Sequence, residues 1–174
     1  MGNDEWLALL NEDIVDPGQR IIDPHHHLWR RPDGSDYLLE NLHKDTGSGH
    51  DVQKTVFVEC HAEYRTDGPE HLKPLGETSF VCAQAEASDA SDGAVIAGIV
   101  SHADLTLGEA VEEVLSAHEA LGKGRFRGIR HAGAHAEFPE ALLIAGHAPA
   151  NLYENDSFRT GMNKLGQMGY SYDT

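Results

Sequence analysis

An α/β fold built on a parallel sheet is the class this sequence predicts, and three observations carry it. Short runs rich in β-branched and aromatic residues alternate with segments of helical period, the pattern of βα units. The run Ala94-Val95-Ile96-Ala97-Gly98-Ile99-Val100 is apolar on both faces, as a parallel strand buried between layers must be. Histidines, 12 in all, gather where several apolar runs end, which is where parallel sheets place their chemistry.

The elements follow in order. Residues 4–11 read as a short amphipathic helix with Trp6, Leu9 and Leu10 on one side, inside an N-terminal extension over 1–19 that Pro17-Gly18 closes. Arg20–Asp23 reads as a first strand running into Pro24 and three histidines. Residues 30–50 are polar and Gly/Asp-rich, which predicts a long loop with one helical turn around Leu38–Leu42. Thr55–Cys60 is a second strand by composition. Glu77–Ser88 has helical composition, a turn runs to Gly93, and 94–100 is the third strand. Leu107, Val111, Val114, Leu115 and His118 keep the three-to-four spacing of a helix over 107–121 that Gly122 stops. Phe126–Ile129 is a fourth strand, 132–150 a loop, and Asp156-Ser157 starts a helix to Gln167. Tyr170–Asp173 begins a fifth strand, where the sequence stops. The expectation is therefore a C-terminally truncated domain over 20–174.

Composition excludes some functions. A formal net charge of −16 argues against nucleic acid, which needs clustered Lys and Arg. No stretch approaches the ~20 apolar residues of a membrane span, and the N-terminal apolar run is too short for a secretion signal. Cys60 and Cys82 form no CxxC pair and sit in apolar surroundings, so buried free thiols and a reducing cytoplasm are expected. The expected partner is a small molecule, with a homo-oligomer left open.

The chemistry centres on Ile22-Asp23-Pro24-His25-His26-His27. Residues two apart in a strand share a face, so His25 and His27 point one way and His26 the other. Two imidazoles so placed can hold one divalent metal, or grip an anionic or carbonyl group; the bland alternative is a polar strand end. At the second strand's end Glu59 and His61 share a face, and His61 or Arg65 can reach the mouth, weighed evenly against solvated charges. His102, near Asp104, ends the third strand. On the fourth, Arg130 offers the planar fork that suits a carboxylate and shares a face with Gly128 and Phe126, while His131 sits opposite with Ile129 and Arg127. Arg125 and Arg127 fall at the strand's start and read as structural. His43, His50, His71, His135 and His147 read as surface residues, and His118 as packed on its helix.

These motifs carry a resemblance. IIDPHHHLW, VFVECHAEYR at 56–65, GIVSHADL at 98–105 and FRGIRHAG at 126–133 together resemble, in order and spacing, the amidohydrolase-related family. They are particularly similar to its branch of metal-dependent hydrolases that includes sugar-lactone and pyrone-dicarboxylate lactonases. The resemblance implies a (β/α)8 TIM barrel, of which this chain supplies about the first four to five βα units, since a full barrel typically takes ~250 residues. It implies a hydrolase that attacks a lactone, or a similar carboxylate-bearing carbonyl compound, with activated water. His25 and His27 would be catalytic and bind zinc or manganese, or act with no metal in the manner of metal-independent lactonases. Arg130 and His131 would join them in catalysis, and His61, His102 and Arg130 in substrate binding. The family's later ligands and its Asp base have no counterpart in the chain, so no turnover is expected from residues 1–174 alone. A metal-dependent decarboxylase or amide hydrolase on the same fold is the first alternative, and an inactive fragment or binding module the second.

Overall fold

Every strand of the sheet runs parallel to its neighbours, in the order β1-β2-β3-β4-β5, because each is joined to the next by a crossover. The computed structural model describes residues 6, 8–10, 12–136, 138 and 148–174. The strands are β1 (Arg20–His26), β2 (Asp51–Val58), β3 (Val95–His102), β4 (Phe126–Arg130) and β5 (Ser171–Asp173). The helices are α1 (Leu39–Thr46), α2 (Leu75–Asp89), α3 (Val111–Gly122) and α4 (Asp156–Gln167).

The TIM barrel that the resemblance implies, with this chain as its first four to five βα units, is not what these residues form. They make an open five-stranded half-barrel sheet whose outer strands are β1 and β5. Closure needs every strand to find two hydrogen-bonded neighbours. Among the described residues β1 pairs only with β2, and β5 only with β4.

The sheet curls because its register slips at successive pairs. β1 and β2 shift at Ile21/Ile22 and again at Asp23/His26, β2 and β3 at Thr55/Val56, and β3 and β4 at Ile99/Val100. Each extra residue bends its strand and adds twist. The slips also change which side chains share a face. Phe126 pairs with Ile99 and Ile129 with Ser101, so both face the helices although three residues apart. The expectation that Phe126 shares a face with Arg130 is thereby corrected.

Among the described residues the helices cover one face of the sheet. Leu42 of α1 and Val81, Cys82 and Ala85 of α2 pack against Phe57, Ile96 and Ile99. Val111, Val114 and Leu115 of α3 join Phe158 and Leu165 of α4 against Phe126 and Ile129. Each such fully buried Leu, Ile or Phe contributes roughly 1.5–3 kcal/mol over its exposed state.

Three local expectations change. A two-turn helix stands where one turn was expected, because Leu42 gains a buried seat and Asn41 Oδ1 accepts the Leu38 N–H at its start. The helix expected over 107–121 is a 3-10 turn at Leu105–Ala110 followed by α3, broken at Gly108 (φ 62), a conformation glycine adopts freely. It ends one residue late, with Lys123 rather than Gly122 in the left-handed region (φ 49). Half of the helix expected over 4–11, and the residue His147, fall outside the described residues. Among the described residues no helix is long and apolar enough to cross a membrane.

Candidate active site

The last turn of β1 delivers the pair that period two predicts. His25 Nε2 and His27 Nε2 lie 3.2 Å apart with the rings edge to face. The His25 N–H donates to Asp23 Oδ1, which ties the strand end down. His27 Nδ1–H donates to the Val58 carbonyl at 2.7 Å, so its Nε2 carries the lone pair. Burial holds the His27 imidazole below the ordinary histidine range, with His25 and Arg130 adding to the effect. His26 points the other way into the core, its Nε2 at 3.3 Å from Thr55 Oγ1, and burial pushes it down to about 4.

Two nitrogens 3.2 Å apart suit two ligands of one ion held at about 2.0–2.1 Å from each. A ligating imidazole needs its other ring N–H held by an acceptor, and the Val58 carbonyl does this at His27. Among the described residues no third His, Cys, Asp or Glu completes a cage with them.

A cleft of about 640 Å³ opens beside this pair, bordered by His27, Glu59, Cys60, His61, Arg130 and Tyr153. Arg130 and Glu59, from β4 and the end of β2, form its floor. Arg130 Nε donates to Glu59 Oε1 at 2.8 Å and an Nη donates to the Glu59 carbonyl. The remaining guanidinium N–H groups have no partner among the described residues. Glu59 is 5 % exposed, and its Oε2 has no hydrogen-bond partner among the described residues; it lies 3.6 Å from His61 Nε2. Cys60 also borders the cleft; burial pushes its thiol up to about 12, and its Sγ–H donates to the Leu28 carbonyl at 3.4 Å.

His61 sits on a left-handed backbone (φ 64), stacks on Tyr64 and borders a second cleft of about 520 Å³ with His71, His102 and Asp104. His102 Nδ1–H donates to the Arg130 carbonyl, and burial lowers its affinity for a proton. His131 accepts the Leu105 N–H at Nδ1 and packs on Phe158. Of the expected site residues the structure thus brings His27, His61 and Arg130 to one cleft, with His25 against His27. His102 belongs to the second cleft, and His131 borders neither. Arg65 is exposed and also borders neither. His118 is fully buried: its Nε2–H donates to the His102 carbonyl while Nδ1 accepts from Thr78 Oγ1.

Three contributors lie outside the expected site residues. Tyr153 reaches the cleft from a 3-10 turn with its hydroxyl 3.0 Å from Thr174 Oγ1. It fits only because residue 133 is glycine, since a Cβ there would meet the Tyr153 hydroxyl at 1.7 Å. Glu77 of α2 is fully buried behind the Glu59–His61 loop. A clue existed for Glu77 alone, as an acid amid the small and apolar residues of a core helix.

No family model, no curated protein and no solved structure matches this chain, and the resemblance to the amidohydrolase-related family rests on its four motifs.

Proposed function

We propose that the protein is a hydrolase similar in chemistry to the amidohydrolase-related lactonases, directing water onto a lactone or a related carboxylate-bearing carbonyl compound. The observation that carries this reading is the convergence of His25 Nε2 and His27 Nε2, 3.2 Å apart, at the C-terminal edge of a parallel sheet beside a cleft that Arg130 borders. A divalent ion such as zinc or manganese would be held by these two nitrogens, and when bound it would act as a Lewis acid toward the carbonyl oxygen.

The chain's own residues have distinct tasks. The Val58 carbonyl locks the His27 tautomer, and burial keeps that ring neutral, so its Nε2 stays an electron-pair donor at neutral pH. Where no ion is held, His25 Nε2–H donates to His27 Nε2, and a substrate carbonyl that takes over this N–H would be polarised by it. The uncommitted N–H groups of Arg130 receive the substrate carboxylate. Glu59 already balances much of the arginine charge, so this grip orients more than it attracts. His61, with Glu59 behind it, takes up the proton of the attacking water and returns it to the ring oxygen as the acyl C–O bond breaks; this is the task that the resemblance gives to an Asp without a counterpart in the chain, so on this reading turnover is expected where the resemblance implied none. Two unpaired thiols, Cys60 and Cys82, support a reducing, cytoplasmic setting.

The test is hydrolysis of a panel of carboxylate-bearing lactones, with zinc, with manganese and with chelator. His27→Ala is expected to lower kcat/KM by roughly a hundredfold or more, while the exposed His50→Ala leaves it unchanged. A folded protein that opens no lactone under any of these conditions overturns the reading. Metal-dependent cleavage of an amide, or release of carbon dioxide, would instead move it to the corresponding chemistry on the same histidine pair.

A further inference from the structure

Glu77 has no task in the reading above, yet it is 1 % exposed and turned toward the cleft loop. Its Oε1 accepts two backbone N–H groups, from Cys60 at 2.9 Å and Ala62 at 2.7 Å, the residues on either side of His61. Its Oε2 is buried and has no hydrogen-bond partner among the described residues. Burying a carboxyl group is unfavourable, and burial pushes this one up to about 7 against the pull of the two amides.

The loop that Glu77 grips is strained. His61 (φ 64) and Glu63 (φ 50) both adopt left-handed conformations that non-glycine residues avoid. It is also pressed against α2: a Cβ on Gly76 would lie 2.2 Å from the Glu63 carbonyl oxygen and 2.7 Å from the Arg65 nitrogen. The strained turn has a definite product. It sets His61 Nε2 at 3.6 Å from Glu59 Oε2, stacks the ring on Tyr64 at 5.1 Å and leaves it 5.9 Å from the His102 ring. His61 thereby borders both clefts.

We propose that Glu77 is a positioning residue of this site: by accepting the amides on both sides of His61, it holds the left-handed turn that keeps the imidazole against Glu59 between the two clefts. Its consequence for turnover rests on the hydrolytic reading above; its consequence for geometry does not. An acceptor without charge suffices for the hold, so the amide of glutamine should replace the carboxyl group, whereas an apolar side chain of similar volume should not.

The experiment is amide hydrogen exchange and proton–proton proximity by NMR on the wild type, Glu77→Gln and Glu77→Met, with lactone turnover measured alongside. In the wild type the Cys60 and Ala62 amides should exchange slowly although they lie in a loop. In Glu77→Met they should exchange roughly tenfold faster or more, as expected when each amide loses its hydrogen-bond acceptor. The His61–Tyr64 proximity should be lost with them, while the β3 amides stay protected. Glu77→Gln should restore both signals. In an active enzyme kcat should fall roughly tenfold in Glu77→Met with KM little changed, and recover in Glu77→Gln. Fast exchange at Cys60 and Ala62 in the wild type overturns the proposal even if Glu77→Met does not fold. So does a Glu77→Met protein that keeps the His61–Tyr64 proximity, or one that loses it with kcat unchanged. A wild type without turnover defeats the hydrolytic reading alone, and the exchange and proximity signals still decide on Glu77.

Discussion

The Arg130–Glu59 pair sets the electrostatics of the cleft. Glu59 is nearly inaccessible and Arg130 mostly so, which makes their charges interdependent. Replacing Arg130 by Met leaves a buried carboxylate without its partner, a change that costs roughly 3–5 kcal/mol in comparable buried pairs. Urea denaturation should show that loss. Adding Glu59→Gln to Arg130→Met should recover much of it, because no orphaned charge then remains; full additivity of the two losses would show that the pair is not coupled. Activity should fall in both variants.

Two glycines of α4 make opposite predictions at the scale of an element. Gly161 presses on the 3-10 turn at Leu105–Ala110, and a Cβ there would lie 2.2 Å from the Leu105 carbonyl oxygen. Gly161→Ala must push the two elements apart, so it should destabilise by roughly 1–3 kcal/mol despite alanine's better helix propensity. Gly166 has open space where its Cβ would stand, and Gly166→Ala should stabilise by about 0.5–1 kcal/mol through propensity alone. Thermal melts of the two variants check the sign. A stabilised Gly161→Ala would mean that α4 does not sit on that turn.

The pH dependence of stability belongs to the whole molecule, since it sums groups buried in different layers. Burial pushes His26 and His118 down to about 4, below their value of 6.5 in the unfolded chain. Between these values the unfolded chain binds protons that the native state refuses. Their stabilisation is therefore complete above pH 6.5 and lost as pH falls toward 4, on the order of 3 kcal/mol for each. Glu77 acts in the opposite sense. Burial raises it from 4.5 to about 7, so stability declines as pH rises through that interval. Equilibrium unfolding at a series of pH values should show a steeper acid limb in Glu77→Gln than in the wild type. A flatter limb is expected in His118→Gln. An unchanged limb in both would mean that these groups titrate as exposed ones.

Local pattern along the chain sets the order and kind of most elements: alternating β-branched runs and helical periods were legible as βα units in a parallel sheet. It also determined the facing of His25, His26 and His27, because two-residue alternation is a local property of a strand. Arg130 beside a cleft was legible for the same reason. The tertiary structure decided what depends on register. The slip at Ile99/Val100 put Phe126 across the sheet from Arg130, and no propensity encodes a slip. It decided that His131 is held by the Leu105 N–H and that His102 faces a cleft of its own. It decided that α1 forms, since that helix depends on a buried seat for Leu42 supplied by distant residues. It also corrected the closed barrel, because closure is a matter of which strand edges meet and not of any segment's composition. The clamp of Glu77 on the turn around His61 joins residues from two elements at hydrogen-bond distance, and only packing brings such groups together.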